Sequence, residues 1–200
     1  MNYECRIYAF TEEKEVMFRK KMIICSFIAA LLIPCSVDAG IGGYSWSEPY
    51  KYPSGTVPIA FGGLNLNTTY SQAAMTSINA WSNIDGINIS ITAGTENKFY
   101  VSSYADAWYW LTTIMHDGED ITKYTIKINS GKIDSDFPSN KYKAARSVFA
   151  HELGHVLGLD DLGGYENVNI SIMKHNRDRT VVYTPTGLDI HRVRLLYDLI

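Results

Sequence analysis

The residues best suited to chemistry lie in the pentapeptide His151-Glu152-Leu153-Gly154-His155. Residues four apart share one face of a helix, so both imidazoles can reach a single metal ion. Glu152 lies beside the first imidazole, where its carboxylate can hold a water molecule and accept its proton. A metal ion next to a carboxylate base is an arrangement typical of hydrolytic enzymes.

The residues that follow strengthen the metal interpretation. Gly158 lies three residues after His155, where helices commonly end in a left-handed turn that glycine adopts without strain. The turned chain can bring residue 161 back to the metal, and that residue is Asp, an oxygen ligand suited to zinc. Asp160 is the alternative ligand, but the spacing favours Asp161. The predicted zinc ligands are His151, His155 and Asp161, with Glu152 as general base.

This pattern resembles the motif of the metzincin metallopeptidases, His-Glu-x-x-His-x-x-Gly-x-x-His followed by a methionine turn. The residues that match position by position are His151, Glu152, His155 and Gly158, and Ser171-Ile172-Met173 resembles the turn. The third ligand, usually His, is Asp161 here, as in the snapalysin-like branch of the matrixin-like metzincins. A carboxylate lowers the net charge of the zinc site, so we expect a milder Lewis acid that remains active.

The resemblance implies a zinc-dependent endopeptidase in which a zinc-activated water attacks the peptide bond and Glu152 takes its proton. It also implies an edge strand that pairs with extended substrate, for which 124–129 is the candidate. The loop 175–186 would form the wall of the substrate pocket. His175 lies where some metzincins carry a Tyr that contacts the metal or the oxyanion. A solvent-exposed loop histidine is an equally good interpretation.

The hydrophobic pattern predicts an α+β domain. Apolar alternation and turn residues predict strands over 57–61, 87–91, 99–103, 108–115 and 124–129. Helical spacing predicts helices over 70–83, 141–157 and 188–200, the last with Thr186 and Asp189 spaced as a capping box. The aromatic cluster 108–110 is interpreted as packing. With the resemblance, this order predicts a metzincin-like zincin fold: a twisted mixed sheet, an active-site helix and a C-terminal helix.

The N-terminal segment predicts a secretory signal. Arg19-Lys20-Lys21 precedes an apolar run over 22–33, and small residues follow up to Ala39. We expect residues 1–39 to be the signal peptide region, cleaved after Ala39, with Met17 as a candidate true start. Residues 40–200 would be the secreted catalytic domain. The alternatives are an uncleaved anchor, for which the run is short, and a lipid on Cys35, which the preceding proline disfavours.

Composition excludes several classes of protein. The 200 residues are 46% hydrophobic and 20% charged, enough for one domain with a real core and too apolar for a disordered chain. The 18 basic and 21 acidic residues leave a net charge of −3, which disfavours nucleic-acid binding. No apolar run reaches bilayer-spanning length, so we expect no stable membrane insertion. We expect a secreted monomer that acts on protein or peptide substrates.

Two other functions fit the same residues. One is a zinc-containing binding module, but a purely structural site would have no need of Glu152 and would usually close the zinc with a fourth protein ligand. The other is a peptidase restricted to a single protein target. Loop shapes decide between this and broad digestion, and the motif does not encode them.

Overall fold

The computed structural model describes residues 4–9, 47–62, 68–163 and 169–200. The expected α+β architecture, with a helix carrying the motif and a C-terminal helix, is confirmed. The elements are β1 (Glu4–Ala9), β2 (Thr56–Phe61), α1 (Thr68–Ser82), β3 (Asn88–Ile91), β4 (Lys98–Ser102), β5 (Trp110–Asp117), β6 (Asp120–Asn129), α2 (Ser130–Asp136), α3 (Lys141–Val156) and α4 (Gly187–Leu196).

The strands form one mixed sheet in the order β1-β5-β6-β4-β2-β3. The pairs β2–β3, β2–β4 and β4–β6 are parallel, whereas β5 is antiparallel to both β6 and β1. Strand β5 therefore runs against the other five. A tight hairpin joins β5 to β6, with Gly118 at φ +60° in the turn.

The prediction that 124–129 is an edge strand is wrong. These residues lie in β6, which has β5 on one side and β4 on the other. Tyr124, Ile126 and Ile128 are fully buried, and the residues between them are half-buried. Such alternation reports which face of a strand is covered, and it carries no information about whether both edges are paired.

The outer edge of β5 is paired with β1, whose register sets Glu4 opposite His116 and Ala9 opposite Leu111. Strand β1 lies within the predicted signal region, and residues 10–39 of that region lie outside the described residues. The signal, its cleavage after Ala39 and the Met17 start therefore stay predictions. No helix among the described residues is long and apolar enough to cross a bilayer.

Helix α3 is anchored between α1 and the sheet. The indole Nε1 of Trp81, on α1, donates to the carbonyl oxygen of Ala150 at 2.8 Å. On the sheet side, the Phe149 ring packs edge-on against Phe99 of β4, with centroids 5.0 Å apart. Burying a side chain such as Phe149 contributes about 1.5–3 kcal/mol. The helix that carries the motif is thus held rigidly by the core.

Helix α2 is an element that the sequence did not predict. The Asn129 side chain caps it by accepting from the backbone N–H of Lys132. A Cβ on Gly131 would lie 2.3 Å from Ser103 Oγ, so glycine permits the close approach of helix and sheet. At the other end of the chain, α4 ends at Leu196, four residues before its predicted end.

Candidate metal centre

Helix α3 places His151 and His155 on one buried face, and both side chains are fully excluded from solvent. The two Nε2 atoms lie 3.2 Å apart, and the rings are nearly perpendicular. This is the arrangement that the four-residue spacing predicted. Both imidazoles therefore present a ring nitrogen to the same point.

Backbone carbonyls define which ring nitrogens carry protons. The Nδ1 atom of His151 lies 2.9 Å from the carbonyl oxygen of Ile172, and that of His155 lies 2.9 Å from the carbonyl oxygen of Leu159. A carbonyl oxygen can only accept, so each Nδ1 is assigned a hydrogen; Arg177 Nη1 also lies 3.2 Å from His151 Nδ1, but the carbonyl oxygen is the closer partner. Each Nε2 then carries a lone pair, which is the state that binds metal. Burial, with the nearby positive Arg177, also lowers the pKa of His151 well below its usual value.

The turn after α3 returns the chain to this point. Gly158 has φ +89°, and the N–H of Leu159 donates to the carbonyl oxygen of Gly154 at 2.9 Å, which closes the helix end. Asp161 Oδ1 consequently lies 3.3 Å from His151 Nε2 and 3.6 Å from His155 Nε2. The side chain of Asp160 instead accepts from the backbone N–H of Asp161, at 2.7 Å. The geometry thus favours Asp161 over Asp160.

The three donors fit a zinc ion. Metal–ligand bonds of about 2.0–2.1 Å in tetrahedral geometry set neighbouring ligand atoms about 3.3 Å apart. Two imidazole lone pairs and a carboxylate oxygen meet at that spacing, and Asp161 Oδ1 is buried without a hydrogen-bond partner among the described residues. If both Nε2 atoms carry lone pairs, as their Nδ1 contacts imply, a cation between them and Asp161 Oδ1 relieves the repulsion among the three atoms. The donor set matches that of two-histidine, one-carboxylate zinc sites.

Glu152 lies against this cluster with its two oxygens in different roles. Oε2 accepts a 2.5 Å hydrogen bond from Thr112 Oγ1 on β5. Oε1 lies 3.7 Å from His151 Nε2 and is buried with no hydrogen-bond partner among the described residues. Burial raises the pKa of Glu152 well above its usual value, and the negative charge of Asp161 adds to the rise. A carboxylate so held can accept a proton at the metal position.

The segment 171–173 lies beneath the cluster, where the resemblance predicted a methionine turn. A Cβ added to Gly154 would come within 2.4 Å of Met173 Sδ, so only glycine lets α3 approach the turn this closely. Asp189 holds the turn from α4: it accepts from the hydroxyl of Ser171 and from the N–H of Ile172. The same carboxylate forms the predicted capping box with Thr186, which is confirmed.

Two buried guanidinium groups border the site. Arg177 donates to the Lys174 carbonyl oxygen at 2.7 Å and to both oxygens of Ser147, which ties the loop after the turn to α3. Burial, with repulsion from Arg179, lowers the pKa of Arg177 to about 9. Arg179 lies over the rings of Tyr109 and Trp110, at 4.8 and 5.3 Å from their centroids. Their positive charges offset the buried carboxylates of the site.

The sequence analysis did not assign to the site four residues that shape it: Thr112, Arg177, Asp189 and Trp110. The Trp110 ring lies 5.2 Å from that of His151, so the cluster interpreted as packing contributes a wall of the site. Only Asp189 had a signal, the capping-box spacing. Trp110 and Thr112 lie at the site because of the strand order, and Arg177 because of the path of its loop; neither is encoded by a local sequence pattern.

We expect Gly158→Ala to lower the free energy of unfolding by about 1–3 kcal/mol, because a side chain at positive φ is strained. The added Cβ would also lie 2.8 Å from Lys51 Cβ. Urea unfolding measures the loss. Gly187→Ala is the control, since a Cβ there meets open space. Equal stability of Gly158→Ala and the unmodified chain would contradict the role of this turn.

Comparison with protein-family models and with curated protein sequences finds no match. Among solved structures, the chain is similar to high choriolytic enzyme 1, a hatching-enzyme zinc protease from the medaka fish Oryzias latipes. The identity is 13%, over 84% of this chain and 99% of that one, with a TM-score of 0.46. It is also similar to myroilysin, at 11% identity over 85% of this chain and 99% of that one, with a TM-score of 0.47.

Proposed function

We propose that this chain is a secreted zinc-dependent endopeptidase of the metzincin type. In this proposal His151, His155 and Asp161 bind the ion and Glu152 is the general base. The observation that carries it is the convergence of two imidazole nitrogens and a carboxylate oxygen beside a buried oxygen of Glu152 that has no hydrogen-bond partner among the described residues. The aspartate ligand further favours the snapalysin-like branch.

Zinc, when bound, would polarise the scissile carbonyl and make a water molecule acidic enough to lose its proton. Glu152 Oε1 is the group placed to take that proton, because Oε2 is already engaged by Thr112. Glu152 would then deliver the proton to the leaving nitrogen. The hydrogen bond from Thr112 keeps the carboxylate oriented through both transfers.

The site favours an enzyme over a zinc-containing binding module. A structural zinc site usually has four protein ligands. Among the described residues, three ligand side chains converge here. A buried carboxylate with one unsatisfied oxygen is costly, and a purely structural site gains nothing from it. We further propose a monomer that acts on protein or peptide substrates.

The test is cleavage of an unfolded protein by the purified secreted form, with and without a metal chelator. We expect the chelator to abolish cleavage and a slight excess of zinc to restore it. Sequencing the N-terminus of the same sample tests cleavage after Ala39. Stoichiometric zinc with no cleavage of any member of a mixed peptide library would favour the binding module. Cleavage of very few members would indicate a narrow target range.

A further inference from the structure

We infer that His175 is a positioning residue that holds the carboxylate of Asp161 so that a single oxygen faces the metal. The inference rests on the proposed zinc site and extends it. The two oxygens of Asp161 have different neighbours. Oδ1 faces the imidazoles of His151 and His155, whereas Oδ2 lies 2.5 Å from His175 Nε2. A carboxylate only accepts, so His175 Nε2 is the donor.

His175 is not a fourth member of the donor cluster. The ligand atoms of His151, His155 and Asp161 all lie within 4.8 Å of one another, and among the described residues this group does not include His175. The Nε2 atom of His175 instead contacts Oδ2 of Asp161, the oxygen that does not face the two imidazoles. Its side chain is 39% exposed, whereas those of His151 and His155 are fully buried. His175 therefore contacts the ligand cluster through Asp161, and its ring lies 5.6 Å from that of His151.

The surroundings of His175 fix the ring in this position. Its plane is within 11° of the Trp110 indole, with centroids 6.4 Å apart. Arg179 Nη2 donates to the carbonyl oxygen of His175 at 3.3 Å, which holds the backbone from the other side. Both neighbours belong to the wall of the site. Trp110 and Arg179 thus orient the His175 donor towards Asp161.

The hydrogen bond has a consequence for coordination. A carboxylate with both oxygens available can bind a metal through one oxygen or through two. Two-oxygen binding would occupy the position that a catalytic zinc site keeps open for water and substrate. With Oδ2 engaged by His175, Asp161 offers Oδ1 alone. Partners of this kind typically change metal affinity 10- to 100-fold.

The test compares His175→Ala and His175→Gln in the full chain, with zinc affinity and the visible spectrum of the cobalt-substituted protein as readouts. We expect His175→Ala to weaken zinc binding roughly 10- to 100-fold. We expect its cobalt absorption to fall as the coordination number rises. His175→Gln, whose amide can donate to Oδ2, should recover part of both. His191→Ala, on the exposed face of α4, is the control and should change neither.

A double-mutant cycle separates this role from direct ligation. If His175 acts through Asp161, then His175→Ala should add little to Asp161→Ala, because the partner is already gone. Additive losses, or recovery by free imidazole with no recovery by His175→Gln, would overturn the inference in favour of a metal ligand. Unchanged affinity and spectrum in His175→Ala would also overturn it. A parent protein that binds no zinc would instead refute the proposed function itself.

Discussion

Replacing Glu152 with Gln should lower the rate of peptide hydrolysis by about 10³-fold, within the 10²–10⁴-fold range of general acid–base catalysis. Gln is nearly isosteric and can still accept from Thr112, so the fold and the three metal donors should be unaffected. What it lacks is the ability to take a proton. Steady-state cleavage of a fluorogenic peptide, with zinc content measured on the same sample, checks the prediction.

The control for this experiment is Glu96→Gln, the same chemical change at an exposed side chain that pairs with Lys123. Such surface pairs contribute little to stability, so activity should match the parent protein. A Glu152→Gln protein that binds zinc and keeps more than about a tenth of the activity would refute the general-base role. Loss of zinc in that variant would show instead that Glu152 contributes to binding the ion.

Replacing His155 with Ala should weaken zinc binding by more than about 100-fold, because losing a group that merely orients a ligand already costs 10- to 100-fold. The substitution removes a lone pair from the cluster together with the hydrogen bond to the Leu159 carbonyl oxygen. Activity should vanish at limiting zinc. Competition with a chelator of known affinity gives the change in the dissociation constant.

The His155 side chain is fully buried, so His155→Ala also leaves a cavity. His155→Gln fills more of that space and separates packing from ligation. If both variants fold, as thermal unfolding of the metal-free proteins would show, both should lose zinc. Tight zinc binding by a folded His155→Gln protein, equal to the parent, would contradict the ligand assignment.

Among the described residues from 47 to 200, the sequence predicted strands and helices well wherever the hydrophobic pattern was long. Helix α3 was predicted to within a residue, because its apolar positions and the glycine at its end are local signals. The edge strand was assigned wrongly, since strand order depends on tertiary pairing that alternation does not encode. Helix α2 was missed because seven residues beginning Ser-Gly give too weak a helical pattern.

The residues of the candidate site likewise fall into those that the sequence predicted and those that it did not. Residues at fixed spacing on α3 and its closing turn were predicted, and the structure brings them together. The role of Thr112 was not predicted, because Thr112 and Glu152 are 40 residues apart in the sequence. The contact of His175 with Asp161 was not predicted either. The conformation of the loop that carries His175 depends on the buried Arg177 and not on a local sequence pattern. Local signals identified the proposed zinc ligands and general base but not the residues that hold them in place.

The carboxylate of Asp189 has a consequence for how this protein can vary in evolution. Its oxygens serve two segments at once: they accept from the hydroxyl of Ser171, beneath the proposed zinc ligands, and from the N–H of Thr186 at the start of α4. A lineage that lost the acid would leave buried donors unsatisfied at both places. We therefore expect positions 171 and 189 to change together among homologues. Where residue 189 is no longer an acid, residue 171 should no longer carry a hydroxyl that needs an acceptor.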